Sequence, residues 1–250
     1  MSRRNPLVFP AVSAKHTATV IFTHGLGDSG NGWSFAVENW RRRQKLDEVK
    51  FILPHAPEIP ITMNHGYRMP GWYDINLTNK VSIGGGVDSI RRNEDEKGIL
   101  ESRDYIRSLV QKEVDSGIPS ERIVLGGFSQ GGAISIFAGI TSPLKLGGII
   151  GMSTYLLLSL KLESTYLPSP VSSAVNAQTP ILMCHGNADP VVPFELGKMS
   201  RDHLQKLNFS VDWKEYAGMP HTAFPNELDD VEEYLAKVLP PSPEAGKSEL

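Results

Sequence analysis

Six short runs of apolar and β-branched residues recur along this chain. Between them lie longer stretches in which apolar residues return every third or fourth position. The runs fall near 18–23 (Ala-Thr-Val-Ile-Phe-Thr), 50–53, 122–126, 147–152 (Gly-Gly-Ile-Ile-Gly-Met), 180–185 and 210–216. Their length and composition predict buried strands. Helical spacing is expected near 33–46, 96–116, 131–141, 195–207 and 226–239. In the second helix Ile99, Ile106, Leu109, Val110 and Val114 keep to one face until Gly117 and Pro119 end it. In the last, Leu228, Val231, Leu235, Val238 and Leu239 do so before Pro240-Pro241. Strands alternating with helices predict an α/β architecture: a mostly parallel central sheet with helices on both faces. Residues 1–240 are expected to form one domain, with the polar stretch 241–250 a disordered tail.

Two stretches break the alternation. Residues 54–93 are rich in Pro, Gly and Asn and carry Met69-Pro70-Gly71-Trp72-Tyr73, while 155–179 opens on Tyr155-Leu156-Leu157-Leu158 and drifts into Ser, Pro and Ala. Loops this long are usually functional or disordered, and their apolar content favours function. Trp72, Tyr155, Leu156 and Leu157 are the residues expected to line an apolar groove. The other reading of the leucines is that they finish the core after the strand at 147–152. Gly84-Gly85-Gly86 lacks the strand-then-helix setting of a phosphate cradle and reads as a flexible loop.

Composition narrows the function classes. The 250 residues are 40% hydrophobic and 21% charged, with a net charge of −3, so a sizeable core is available and no basic excess points to nucleic acid. Arg41-Arg42-Arg43, the densest basic run, reads as a solvated helix face. The single cysteine, Cys184, rules out an internal disulfide and reads as a small core hydrophobe in a strand. The amino terminus lacks the apolar stretch of a signal peptide, and no apolar run approaches the 18 or so residues of a membrane span. The closing Lys247-Ser248-Glu249-Leu250 only loosely matches retention or peroxisomal tails. The expected location is the cytoplasm, with the nucleus as an addition.

The most informative residues are Gly127-Phe128-Ser129-Gln130-Gly131, a G-x-S-x-G pattern. The apolar run 122–126 precedes it and the small, apolar Gly132-Ala133-Ile134-Ser135-Ile136-Phe137-Ala138 follows. Strand, sharp turn and helix is the setting in which an α/β-hydrolase exposes a nucleophilic serine. Ser129 then needs a base and a carboxylate, which follow in the order acid, then histidine. Three histidines lie downstream. His203 sits among charged residues on a helical pattern, and His185 ends the Cys184 strand ahead of the best acid. His221, in the loop Gly218-Met219-Pro220-His221, is the expected base. Asp189, in the loop after the 180–185 strand, is the expected acid; read alone it could be a turn carboxylate beside Pro190. Asp202 and Asp212 read as surface residues. Backbone N–H groups of Leu26, in His24-Gly25-Leu26-Gly27-Asp28, and of Gln130 are the expected oxyanion donors. His24 is expected to be structural, since no H-E-x-x-H or spaced carboxylate makes it a metal ligand.

With these pieces in place the chain resembles the acyl-protein thioesterases of the carboxylesterase and lysophospholipase group, from about Thr19 to Pro241. The resemblance rests on Phe22-Thr23-His24-Gly25-Leu26-Gly27-Asp28, Pro54-His55-Ala56-Pro57, Met69-Pro70-Gly71-Trp72-Tyr73-Asp74, Gly117-Ile118-Pro119, Leu125 to Gly132, and Asp189-Pro190-Val191-Val192-Pro193. It implies a cytosolic serine hydrolase that removes palmitoyl-type groups from cysteine thioesters on proteins, with lysophospholipids and short esters as further substrates. It makes Trp72 the substrate-loop tryptophan. Animal members often carry an acylated cysteine beside the amino terminus; position 2 here is Ser, so attachment to membranes by that route is not expected. Thr154-Tyr155-Leu156 stands where the family often has a tryptophan, which leaves acyl-chain preference open. The expected partners are S-acylated proteins or acyl esters, reached through transient contact with a membrane surface. No metal or organic cofactor is expected. The rival readings are a general carboxylesterase with the same catalytic residues and a binding protein that kept the fold without activity.

Overall fold

The structure, a computed structural model, describes residues 3–13, 15–76 and 93–242. Its strands are β1 (Leu7–Phe9), β2 (Ala18–Thr23), β3 (Val49–Leu53), β4 (Glu58–Ile61), β5 (Tyr67–Pro70), β6 (Ile123–Phe128), β7 (Gly148–Met152), β8 (Ile181–Gly186) and β9 (Val211–Tyr216). The α-helices among the described residues are α1 (Ser34–Arg41), α2 (Glu96–Asp115), α3 (Gln130–Ile140), α4 (Phe194–Lys206) and α5 (Pro225–Val238). Seven strands form one sheet in the order β1-β3-β2-β6-β7-β8-β9, parallel throughout except that β1 runs antiparallel to β3.

Side-chain alternation divides the core into two layers. Ala18, Val20 and Phe22 of β2, Val124 of β6, Ile150 and Met152 of β7, and Leu182 and Cys184 of β8 pack with α1 and α5 on one face. Ile21, Ile123, Leu125, Ile149, Ile181 and Met183, the residues between, pack with α2, α3 and α4 on the other. A parallel strand covered on both faces reads as a continuous apolar run, which is why these strands stood out in the sequence. Helix α3 is buried at every position from Gln130 to Ile140, so it shows no polar face.

The chain lays β3 to one side of β2, then places β6 on its other side and proceeds outward through β9. The order therefore reverses between β2 and β6. In an open parallel sheet such a reversal opens a crevice at the carboxyl ends of the strands, where ligands bind. The loops after β2 and β6 both meet there.

Three expectations change. The stretch 54–93 contains an antiparallel hairpin, β4 paired with β5 from Glu58↔Pro70 to Ile61↔Tyr67; its four-residue strands carry Pro60 and Pro70, which hide strand character. The first helix ends at Arg41, not near 46. Arg41 is not a free surface cation: it donates to the carbonyls of Phe9 and Pro10 and lies over the Phe51 ring, tying β1 to the sheet. Arg43 does pair at the surface, with Asp229. Gly84-Gly85-Gly86 and residues 243–250 lie outside the described residues. Among the described residues no helix is long and apolar enough to cross a membrane.

Phe137 of α3 is fully buried, and the Tyr166 ring meets it edge-on at 5.3 Å. Phe137→Ala is expected to cost about 3–5 kcal/mol, read from urea unfolding midpoints at unchanged m-value. A loss below roughly 1 kcal/mol would mean the site collapses freely or α3 is not central to the core.

Candidate active site

Ser129 stands at the junction of β6 and α3 with φ 54° and ψ −124°, a backbone conformation that side chains other than glycine rarely adopt. The surroundings hold it there. Its N–H donates to the Met152 carbonyl at 2.8 Å, and Thr154 Oγ1 donates to its carbonyl at 2.7 Å. A Cβ at Gly131 would run into the Thr23 and His24 carbonyls, and one at Gly127 into the Thr23 hydroxyl and the Gly131 backbone. These glycines let β2, β6 and α3 converge. Thr23 Oγ1 lies 2.7 Å from the Gly131 carbonyl and 2.8 Å from Ser135 Oγ, stitching the three elements together. Nothing in the pattern of the chain singled out Thr23 or Ser135.

Two loops bring the other polar groups in. His221, after β9, has its Nε2 2.9 Å from Ser129 Oγ and its Nδ1 2.7 Å from Asp189 Oδ2. Asp189, after β8, accepts the Val191 and Val192 amides on Oδ1 at 2.8 and 2.9 Å. Burial pulls its carboxyl upward, but the His221 hydrogen bond and the two amides outweigh burial and hold it below the ordinary aspartate value. The Phe128 ring packs on the imidazole with centroids 4.7 Å apart, backed by Trp33. Ser129, Asp189 and His221 thus form one hydrogen-bonded chain at the carboxyl end of the sheet.

Leu26 and Gln130 line the same cavity as Ser129. Gln130 begins α3, so its N–H has no acceptor within the helix. The loop bearing Leu26 is fixed by His24, whose Nδ1 donates to the Gly25 carbonyl at 2.7 Å while Nε2 accepts the Ala56 amide at 3.1 Å. Because the Gly25 carbonyl and the Leu26 N–H share one planar peptide, anchoring the first orients the second. Burial pushes the His24 pKa down to about 4. Trp72 couples the loop bearing Leu26 to Gln130: its indole N–H reaches the His24 carbonyl at 2.8 Å and its amide the Gln130 Oε1 at 2.8 Å, while Gln130 Nε2 donates to Tyr73 O at 2.7 Å.

Comparison with known proteins places this geometry in a family. The phospholipase/carboxylesterase family profile matches residues 7–239. The chain belongs to that family. It is 59% identical over 236 residues to acyl-protein thioesterase 1 of Gibberella zeae, covering 94% of this chain and 96% of that protein. To the protein of the same name from Neurospora crassa it is 58% identical, covering 96% and 94%. Among solved structures, Zea mays acyl-protein thioesterase 2 superposes with a TM-score of 0.77 at 26% identity, covering 94% of this chain and 99% of that one. Arabidopsis thaliana SOBER1 superposes with a TM-score of 0.77 at 28% identity, covering 89% and 99%. The fold is an α/β-hydrolase fold.

In this family member the apolar space at Ser129 is a cavity of about 130 Å³ lined by Leu26, Met63, Ile75, Tyr155, Val191, Val192 and Leu196. Of the four residues expected to line a groove, Tyr155 reaches it. Leu156 and Leu157 do not: they are 2% and 0% exposed and pack into the core layer that includes α4, as the alternative reading had it. Trp72 does not line this cavity; it is 1% exposed and bridges the loop after β2 to Gln130, with Tyr105 stacked on it. Met63, Ile75 and Leu196 were missed because they come from a hairpin tip, a loop and a helix start that converge only in three dimensions.

The remaining chemistry-bearing residues stand apart from the serine. Cys184 is buried, and burial raises its thiol pKa well above the ordinary value. Asp202 and Asp212 are exposed on α4 and β9. Among the described residues no group of three or more His, Cys, Asp or Glu side chains could hold a metal ion.

The His24 environment sets a pH dependence of stability. An unfolded histidine takes up a proton near pH 6.5, whereas folded His24 resists until about 4. Between these values the unfolded chain binds more protons, so this contribution is full above about 6.5 and is lost as pH falls toward 4. The stability gap between wild type and His24→Asn is therefore expected to narrow steadily on acidification through that window. Urea unfolding at several pH values checks it, and a gap constant with pH contradicts it.

Proposed function

We propose that this chain is a serine hydrolase that removes long-chain, palmitoyl-type acyl groups from cysteine thioesters on proteins. The observation that carries the reading is the hydrogen-bonded chain Asp189–His221–Ser129 at a strained strand-to-helix turn, in a chain about three-fifths identical to proteins named acyl-protein thioesterase 1. His221 Nε2 takes the Ser129 Oγ proton as Oγ bonds to the thioester carbonyl carbon. The negative charge gathers on the carbonyl oxygen, facing the N–H groups of Leu26 and Gln130. The C–S bond breaks and His221 returns the proton to the departing thiolate. A water molecule then gives its proton to His221 and attacks the acyl-enzyme; the C–Oγ bond breaks, His221 passes the proton to Ser129 Oγ, and the fatty acid leaves. Asp189 stays ionised throughout and holds the imidazole with Nδ1 protonated. Side chains and amides suffice for these steps.

Such substrates keep their acyl chains in a bilayer, so the enzyme meets a membrane surface transiently and works in the cytoplasm. One observation favours a second reading, a carboxylesterase for small esters. The cavity at Ser129 is about the size that holds a benzene-sized molecule, roughly 150 Å³, so a long chain must run on over the exposed Met63 and Val191. The ratio of kcat/KM for a palmitoylated peptide thioester to that for a butyryl ester separates the two. A ratio above one supports thioester hydrolysis of long chains, and a ratio far below one supports the small-ester reading.

Ser129→Ala and Asp189→Asn test the triad. The first is expected to lower kcat by about 10⁴ to 10⁶ and the second by about 10⁴, both with near wild-type melting temperatures. Residual activity within tenfold of wild type would remove either residue from the mechanism. Trp72→Phe is expected to lower kcat to a similar degree on short and long substrates, because the lost indole N–H supports the oxyanion donors. A defect confined to long chains would instead return Trp72 to the acyl-binding wall.

A further inference from the structure

His185 takes no part in the mechanism, yet it is fully buried against the residues that hold Asp189. It is the penultimate residue of β8, and its Nε2 lies 3.0 Å from the Val192 carbonyl and 3.5 Å from Asp189 Oδ2, the oxygen that also accepts from His221. The Nδ1 atom has no hydrogen-bond partner and faces Gly197 of α4. A buried nitrogen with no acceptor before it does not carry a hydrogen at low cost, so the ring proton resides on Nε2 and points at Val192 and Asp189. Packing fixes the ring plane: Trp213 of β9 stacks at 6.0 Å, Phe194 of α4 meets it edge-on at 5.9 Å, and the missing side chain at Gly197 leaves room for the imidazole.

We infer that His185 is a positioning residue for the acid of the triad, donating from Nε2 so that the Val192 peptide and the Asp189 carboxylate are held together. The Val192 backbone is gripped on both sides of its Cα, its N–H by Asp189 Oδ1 and its carbonyl by His185. Since Val192 also lines the cavity at Ser129, one imidazole fixes both the acid and a wall of the acyl site. His185 acts as a neutral donor, since burial lowers its pKa. The ionisable groups acting on it are Asp189 and His221. From the elements packed against it, α4 presents Phe194 and Gly197, with Arg201 behind the Trp213 ring, and β9 presents Trp213 itself. Without this donor the Asp189 charge is less compensated, so it favours the protonated imidazole of His221 more strongly. The inference rests on the proposed serine-hydrolase reading.

The test compares His185→Phe, which keeps an aromatic ring without a donor, with His185→Gln, which can place an N–H near the Nε2 position. For His185→Phe, kcat is expected to fall roughly tenfold, the worth of one buried hydrogen bond. The acid limb of its kcat/KM profile is expected to move to higher pH, and His185→Gln should recover most of both effects. Gly197→Ala, which keeps the imidazole and presses a methyl group on it, covers the case in which His185→Phe does not fold; it should move the acid limb in the same direction. A role in packing alone would lower melting temperature and leave the acid limb in place. An unmoved limb in both His185→Phe and Gly197→Ala, or a glutamine variant no better than phenylalanine, overturns the inference. Inactivity of the wild type toward every thioester and ester would instead reject the underlying hydrolase reading.

Discussion

The site depends on one strained residue. Ser129 can occupy its left-handed conformation only because β2, β6 and α3 converge around it closely enough to leave no alternative, and that approach needs bare backbone at Gly127 and Gly131. Strain of this kind costs of order 1–3 kcal/mol and survives where its surroundings over-determine it. Here the surroundings are deeply buried: a helix without a solvent face, a strand interior to the sheet, and two hydroxyls that close the gap between them. The Ser129 hydroxyl is thereby presented at the reversal of strand order, where loops from β2, β8 and β9 can reach it.

Around that serine the protein builds with neutral, buried histidines as much as with charge. His24 orients the peptide that bears the Leu26 amide, and His185 lies behind the carboxylate that faces His221. Both are pushed by burial toward the uncharged form, so each serves as a fixed donor or acceptor and adds no positive charge beside His221. Trp72 belongs to the same design. An indole buried to this degree contributes little to a substrate surface, but its N–H and its amide tie the loop after β2 to the first residue of α3. Preorganised donors of this kind stabilise developing charge without reorganising during the reaction.

Much of this could be read from the chain. The central strands were legible because burial on both faces leaves them apolar without interruption, and Ser129, Asp189 and His221 because each falls where a strand gives way to a loop. The rest needed coordinates. The β4–β5 hairpin is short, exposed and interrupted by prolines, so it carries no strand period. Leu156 and Leu157 look like groove residues in a polar segment, yet they turn inward onto the core. The cavity wall of Met63, Ile75 and Leu196 is assembled from three distant stretches with no shared spacing. The support given by Thr23, Ser135 and His185 is local hydrogen bonding, which leaves no periodic trace.

In the proposed reaction Ser129 carries the acyl group from the substrate thiol to water. Rapid acid quench of the protein with a palmitoylated peptide thioester, followed by peptide mass mapping, tests it most directly. A palmitoyl ester is expected on the peptide containing Ser129, appearing before free fatty acid and absent when Ser129 is pre-blocked by a fluorophosphonate. Steady release of fatty acid with no acyl adduct at any time, or an adduct on another residue, would contradict it.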